Sequence, residues 1–157
     1  MRANGGFTLT EALVVLMIIG VLAAIGFPAM TRLLQAQSIR SASYDLHADL
    51  IYARSEAIAR GVTVSIIGNA TTDFKQGWNI RENGGGTVLR TQPSRDSAIN
   101  FTSTASSITF DRNGRTDSAA AVAFNIVPTD GSTQDSMKRC IRLDPQGRPR
   151  TAEGACS

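Results

Sequence analysis

At 157 residues the chain has room for one modest domain beside an N-terminal anchor. One histidine and two cysteines exclude a histidine- or cysteine-rich metal cluster, and no nucleophile has an evident base and orienting partner, so neither a cofactor site nor catalysis is expected. The net charge of +3 is uneven: positions 61–137 hold six basic and seven acidic residues, whereas the last twenty hold Lys138, Arg139, Arg142, Arg148 and Arg150 against Asp144 and Glu153.

The chain opens with a short leader, residues 1–6, and passes from Gly6 directly into Phe7-Thr8-Leu9-Thr10-Glu11. Ala12 to Met30 follows, nineteen residues without a charged or strongly polar side chain. That is close to the roughly 20 residues that span a bilayer. A carboxylate at mid-bilayer costs roughly 2.5 to 3.5 kcal/mol on the insertion scale, so Glu11 needs a cation. Cleavage after Gly6 would supply one, because the new amine of Phe7 lies one helical turn from Glu11, in the same chain or in a neighbouring copy. An ordinary secretory signal cleaved at Ala23-Ala24 fits less well: the apolar run is too long and Glu11 interrupts it.

The Gly6-Phe7 junction, Glu11, the apolar run and Pro28 resemble the class III signal and first helix of type IV pilins and type II secretion pseudopilins. The resemblance implies cleavage between Gly6 and Phe7 by a prepilin peptidase, methylation of the Phe7 amine, a role for Glu11 in assembly and a helix kink at Pro28. It also implies that residues 7–31 cross the bacterial inner membrane once, with residues 32–157 in the periplasm, before the helix joins other major and minor pilins in a filament core.

Beyond Pro28 the pattern becomes amphipathic. Ile39, Ala42, Leu46, Leu50, Ala53 and Ala57 advance by steps of three and four, with Tyr44, Ile51 and Ile58 as an adjacent apolar stripe. Asp45, Asp49, Glu56 and Arg60 occupy other faces, His47 is a partly exposed helix residue, and Gly61 ends the helix. Short β-like runs follow: Val62–Ile67, Gly77–Arg81, Thr87–Thr91, Ala98–Phe101, Ser107–Asp111, Ala119–Val127 and Met137–Leu143, with Gln146–Arg150 extended against the last. Asn83-Gly84-Gly85-Gly86-Thr87 lacks the lysine of a phosphate loop and reads as a hairpin turn, and Asp111 to Gly114 reads as another turn. The predicted class is α+β: a long N-terminal helix, its first half transmembrane, packed on an antiparallel sheet that buries the apolar helix face.

Ser55-Glu56-Ala57-Ile58-Ala59-Arg60-Gly61-Val62, then Gly77-Trp78, then Ile108-Thr109-Phe110-Asp111 with Asn113-Gly114-Arg115, resemble the FimT and GspH family of minor pilins and pseudopilins. Trp78 and Phe110 are expected in the core. Gly147-Arg148-Pro149-Arg150 matches the Gly-Arg-x-Arg motif of FimT-type minor pilins that bind DNA for natural transformation, which implies that Gly147, Arg148 and Arg150 contact DNA.

Residue chemistry points the same way. Pro149 biases Arg148 toward extended angles, and residues two apart in a strand face one side, about 6.6 Å apart. Two guanidiniums would then fork onto phosphate oxygens. Lys138, Arg139 and Arg142, and with them Arg112 and Arg115, could extend the patch, although the sequence does not fix which way any of the five faces. Cys140 and Cys156 are expected to pair in an oxidising periplasm and to preorganise the loop between them. Neutralising three or four phosphates predicts a slope of log affinity on log salt of about −2.7 to −3.6, with little dependence on base sequence. The rival reading is a GspH-like pseudopilin with protein partners only, a structural part of a type II secretion tip.

Overall fold

The computed structural model describes residues 8–95 and 98–156, apart from the side chains of Ile25, Pro28 and Ala29. Gly6, Phe7 and the ring of Pro28 thus lie outside the described residues. A single helix, α1, runs Leu9–Arg60. Thr8 caps it: the Glu11 N–H donates to Thr8 Oγ1 at 3.3 Å, and the Thr8 hydroxyl donates to Glu11 Oε2 at 3.4 Å. A side-chain oxygen here satisfies a backbone donor that no earlier turn can reach. The cation expected for Glu11, the Phe7 amine, lies outside the described residues. At the other end Gly61 takes φ 68° while its N–H reaches the Ala57 carbonyl at 3.0 Å, closing the helix as expected.

The chain divides into two compact units between Leu34 and Gln35. In the first, Leu13, Leu16, Met17, Ile18, Ile19 and Leu22 are all more than half exposed. Among the described residues, no helix is long and apolar enough to cross a membrane.

In the second unit the C-terminal half of α1 packs on an antiparallel sheet of β1 (Val64–Ala70), β2 (Asp73–Glu82), β3 (Val88–Gln92), β4 (Ile99–Ser103), β5 (Ser107–Phe110), β6 (Val122–Pro128), β7 (Arg139–Leu143) and β8 (Pro149–Glu153). The strand order is β5-β1-β2-β4-β6-β7-β8, with β3 also on β2. Trp78 to Arg81 of β2 pair with β3, and Asp73 pairs with Thr102 of β4. Asp135–Met137, expected to lead into the strand at Met137, forms a short 3-10 turn before β7. The glycine run after Asn83 is the β2–β3 turn.

Ile39, Ala42, Leu46, Leu50, Ala53 and Ala57 are buried against Val64, Ile66, Phe74, Trp78, Ile80, Phe101, Ile108, Phe110, Phe124 and Ile141. Tyr44, Ile51 and Ile58 do not extend that row: they are 75%, 49% and 50% exposed. Each residue step turns a helix by about 100°, so positions one or two beyond the row fall on its flank or far side. Asp49 is the opposite correction. It stands three after Leu46 and four before Ala53, inside the core row, and is 1% exposed. Its carboxylate accepts from Trp78 Nε1 at 2.9 Å and Arg90 Nη1 at 2.7 Å, while the Arg90 guanidinium stacks 4.1 Å from the Tyr52 ring centre. Trp78 also meets Phe74 and Phe101 at ring separations of 6.1 and 5.7 Å.

Candidate nucleic-acid interface

The C-terminal cations lie on a hairpin rather than on a loop. β7 and β8 pair in register from Arg139↔Glu153 to Leu143↔Pro149, and residues 144–148 make the turn. Asp144 organises that turn: the Gly147 N–H donates to the Asp144 carbonyl at 2.8 Å, and the Arg148 N–H donates to Asp144 Oδ1 at 2.9 Å. Gly147 has φ 74°, the left-handed region in which a side chain is strained.

Cys140 and Cys156 form the expected disulfide, with Cα atoms 5.0 Å apart. It ties β7 to the segment beyond β8, at the end of the hairpin opposite the turn. Arg150 sits in the strand ladder and Arg148 is bonded to Asp144, so both have supports besides the disulfide that the sequence suggested.

The expected cations separate into two groups. Arg142 and Arg150 stand directly opposite each other in the ladder and are both exposed. With Cys140, Ala152, Glu153 and Ala155 they line a shallow hollow that carries no aromatic ring. Cross-strand neighbours on one face lie close together, so the ladder sets two positive side chains side by side. Arg148 is 57% exposed at its side chain, and its Nε donates to Asp144 Oδ2 at 2.9 Å. Among the described residues, no other ion pair holds that guanidinium. The backbone N–H of Arg148, and then its guanidinium, hold the Asp144 carboxyl below the usual carboxylate range.

Arg139 leaves the patch. Its residue exposure is 9%, Nη1 donates to the carbonyls of Ser136 and Lys138 at 2.9 and 2.7 Å, and Nη2 lies 3.1 Å from Glu153 Oε1. A guanidinium this occupied holds the 3-10 turn against the hairpin. Lys138 is similarly drawn inward: Nζ donates to the Thr133 carbonyl at 3.2 Å and sits 3.6 Å from Asp135. The alternation expected of a strand concealed this, because Arg139 faces its own cross-strand acid.

Sequence reasoning missed two supports. His47 Nδ1 lies 3.0 Å from Thr151 Oγ1 and joins α1 to β8. The turn after β5 packs onto the turn before β8: the Thr116 N–H donates to the Pro145 carbonyl at 3.1 Å, and a Cβ on Gly147 would run into the Gly114 carbonyl oxygen. Those turns belong to opposite ends of the strand order, so the sheet curves around α1 until its margins touch. Arg54 of α1 fastens the meeting point, its Nε donating to the Gly114 carbonyl at 3.0 Å.

Among the described residues, no group of histidine, cysteine and carboxylate side chains is placed to hold a metal ion.

Comparison with known proteins places this architecture. The profile of the family described as type II transport protein GspH matches residues 42–147, and that of the prokaryotic N-terminal methylation motif matches residues 1–27. No curated protein matches the chain in sequence. Two crystal forms of the type IV minor pilin FimU of Pseudomonas aeruginosa are similar in structure. One has a TM-score of 0.62 and 25% identity, covering 72% of this chain and 91% of that one. The other has 0.65 and 25%, covering 74% and 89%. The minor pseudopilin EpsH from the type 2 secretion system of Vibrio cholerae shares the fold at a TM-score of 0.59 and 10% identity, over 74% of this chain and 97% of that one.

Proposed function

This chain belongs to the GspH family of minor pilins and pseudopilins, and we propose that within it the β7–β8 hairpin binds DNA without base specificity, for uptake in natural transformation. The observation that carries the reading is the exposure of Arg142, Arg148 and Arg150 on one hairpin, with Arg142 and Arg150 directly opposite each other in the ladder. A polyanion laid along the hairpin meets these cations and releases its own counterions. Backbone recognition follows from the form of the site: guanidiniums on a strand and a turn, without a ring in the hollow on which a base would stack.

The N-terminal segment delivers that face to a filament. Residues 1–6 are removed between Gly6 and Phe7 by a prepilin peptidase, and the new amine is methylated, which the match to the methylation motif supports. Residues 7–31 then hold the protein in the bacterial inner membrane, with residues 32–157 in the periplasm, until assembly. The exposed apolar side chains from Leu9 to Leu34 need such surroundings or neighbouring helices. Glu11, beside the new terminus, sets the axial position of the incoming subunit.

A second reading makes the chain a structural component of a type II secretion tip. The internal partners of Arg139 and Lys138, and the pairing of Arg148 with Asp144, favour it, since these cations serve the fold.

DNA titrations over a salt series separate the two. Three phosphates neutralised by Arg142, Arg148 and Arg150 give a log–log slope of about −2.7 for duplex DNA. Replacing Arg148 and Arg150 together by Gln should abolish most of the binding while circular dichroism stays unchanged. Unaltered affinity in that variant would leave the structural reading standing.

A further inference from the structure

We propose that Arg115 is a second turn-borne phosphate contact of the same surface, beside Arg148; this rests on the reading of the β7–β8 hairpin as a DNA-binding face. The pentapeptide Asp111-Arg112-Asn113-Gly114-Arg115 repeats the pattern of Asp144-Pro145-Gln146-Gly147-Arg148, an aspartate with glycine and arginine at the fourth and fifth places. The two fold alike, bond for bond. The glycine N–H donates to the aspartate carbonyl at 2.8 Å in both. The aspartate N–H donates to the arginine carbonyl at 2.8 Å in the first and 3.2 Å in the second. The arginine N–H donates to the aspartate Oδ1 at 2.8 and 2.9 Å, and both glycines have φ 74°.

These twin turns are docked glycine against glycine, with Gly147 on the Gly114 carbonyl. Arg115 and Arg148 are the residues immediately after the two touching glycines, so the fold sets two exposed arginines from distant parts of the chain on adjoining turns. They differ in one respect. Arg148 gives its Nε to Asp144, whereas among the described residues the Arg115 guanidinium makes no ion pair or side-chain hydrogen bond. Arg115 is the less committed of the pair, and its turn also exposes Arg112. Arg148 already shares its charge with Asp144, so Arg115 adds the less committed cation to these paired turns, and an anion is its natural complement. A phosphodiester backbone in contact with the hairpin supplies that anion.

The test uses the detergent-solubilised full chain, its R115Q and R115K variants and the double variant R148Q/R150Q, each titrated with duplex DNA of random sequence between low and moderate salt. R115Q should weaken binding at low salt by roughly 2- to 5-fold and make the salt slope shallower by about 0.9, one phosphate contact. R115K should retain the slope, because it keeps the charge. The Asp111 bonds involve only the backbone of Arg115, so the turn survives the change to Gln. Wild-type affinity and slope in R115Q would overturn this inference alone. Absence of binding by the parent chain, or full binding by R148Q/R150Q, would instead overturn the reading on which it rests.

Discussion

Trp78 Nε1 donates to the buried Asp49 carboxylate at 2.9 Å, and this bond joins the middle of α1 to the long central strand β2. Arg90 closes the site from β3 with an ion pair of 2.7 Å. Replacing Asp49 by Ala strands the indole N–H in the core, while Arg90, 44% exposed at its side chain, can turn to water. The expected loss is therefore set mainly by the indole, about 2 to 3 kcal/mol. D49N should lose less, since an amide oxygen still accepts from Trp78. Urea denaturation of the three proteins checks the order parent, D49N, D49A; equal midpoints would discard the bond as a stabilising contact.

Asp144 gives the hairpin turn a pH dependence whose sign is fixed. Its carboxyl is held below the ordinary range by the Arg148 backbone N–H and guanidinium, so the folded state favours the ionised form. That contribution is complete above the unfolded carboxylate value of about 3.9 and is lost as pH falls through the lower folded value. Thermal stability should fall more steeply below about pH 4 in the parent than in D144N. At neutral pH D144N should also bind DNA more tightly, by roughly 2- to 5-fold at low salt, because the carboxylate that occupies Arg148 Nε has gone. Identical acid limbs in the two melting series would contradict the first expectation, and unchanged affinity the second.

The disulfide should affect stability and binding differently. Cys140 and Cys156 are 16 positions apart, and in the chain-entropy model a loop of this size contributes about 3 kcal/mol. Reduction should therefore lower the melting temperature clearly. At temperatures where the reduced protein stays folded, DNA affinity should change little, because the strand ladder and Asp144 hold Arg148 and Arg150. A large loss of affinity on reduction would restore the disulfide as the ordering element.

Much of the helix and sheet was legible in the sequence because period is a local property. Ile39 to Ala57 kept the three-and-four spacing that one helix face requires, Gly61 supplied the left-handed stop, and the β-rich runs fell near the observed strands. Tyr44, Ile51 and Ile58 misled because they are apolar and evenly spaced, yet their angular position sets them off the core row. Asp49 could have been found by the same angular argument; its polarity hid it. In the tail, Arg148 and Arg150 reach the surface as expected; the facing of Arg142 and Arg139 was not legible, and the β7–β8 register exposes the first and gives the second Glu153 as a partner. The repeated pentapeptide is plain in the sequence. That its copies touch depends on the curvature of the whole sheet, which no local pattern encodes.

The contact of Gly147 with Gly114, and the grip of Arg54 on Gly114, have a mechanical consequence. β8 is a terminal strand, and a tug at an unsupported hairpin tip would unzip its ladder one rung at a time. Here the tip bears on a neighbouring turn that is bolted to the helix. Traction applied there passes into the spine of the subunit, and the rungs share the load instead of failing in succession.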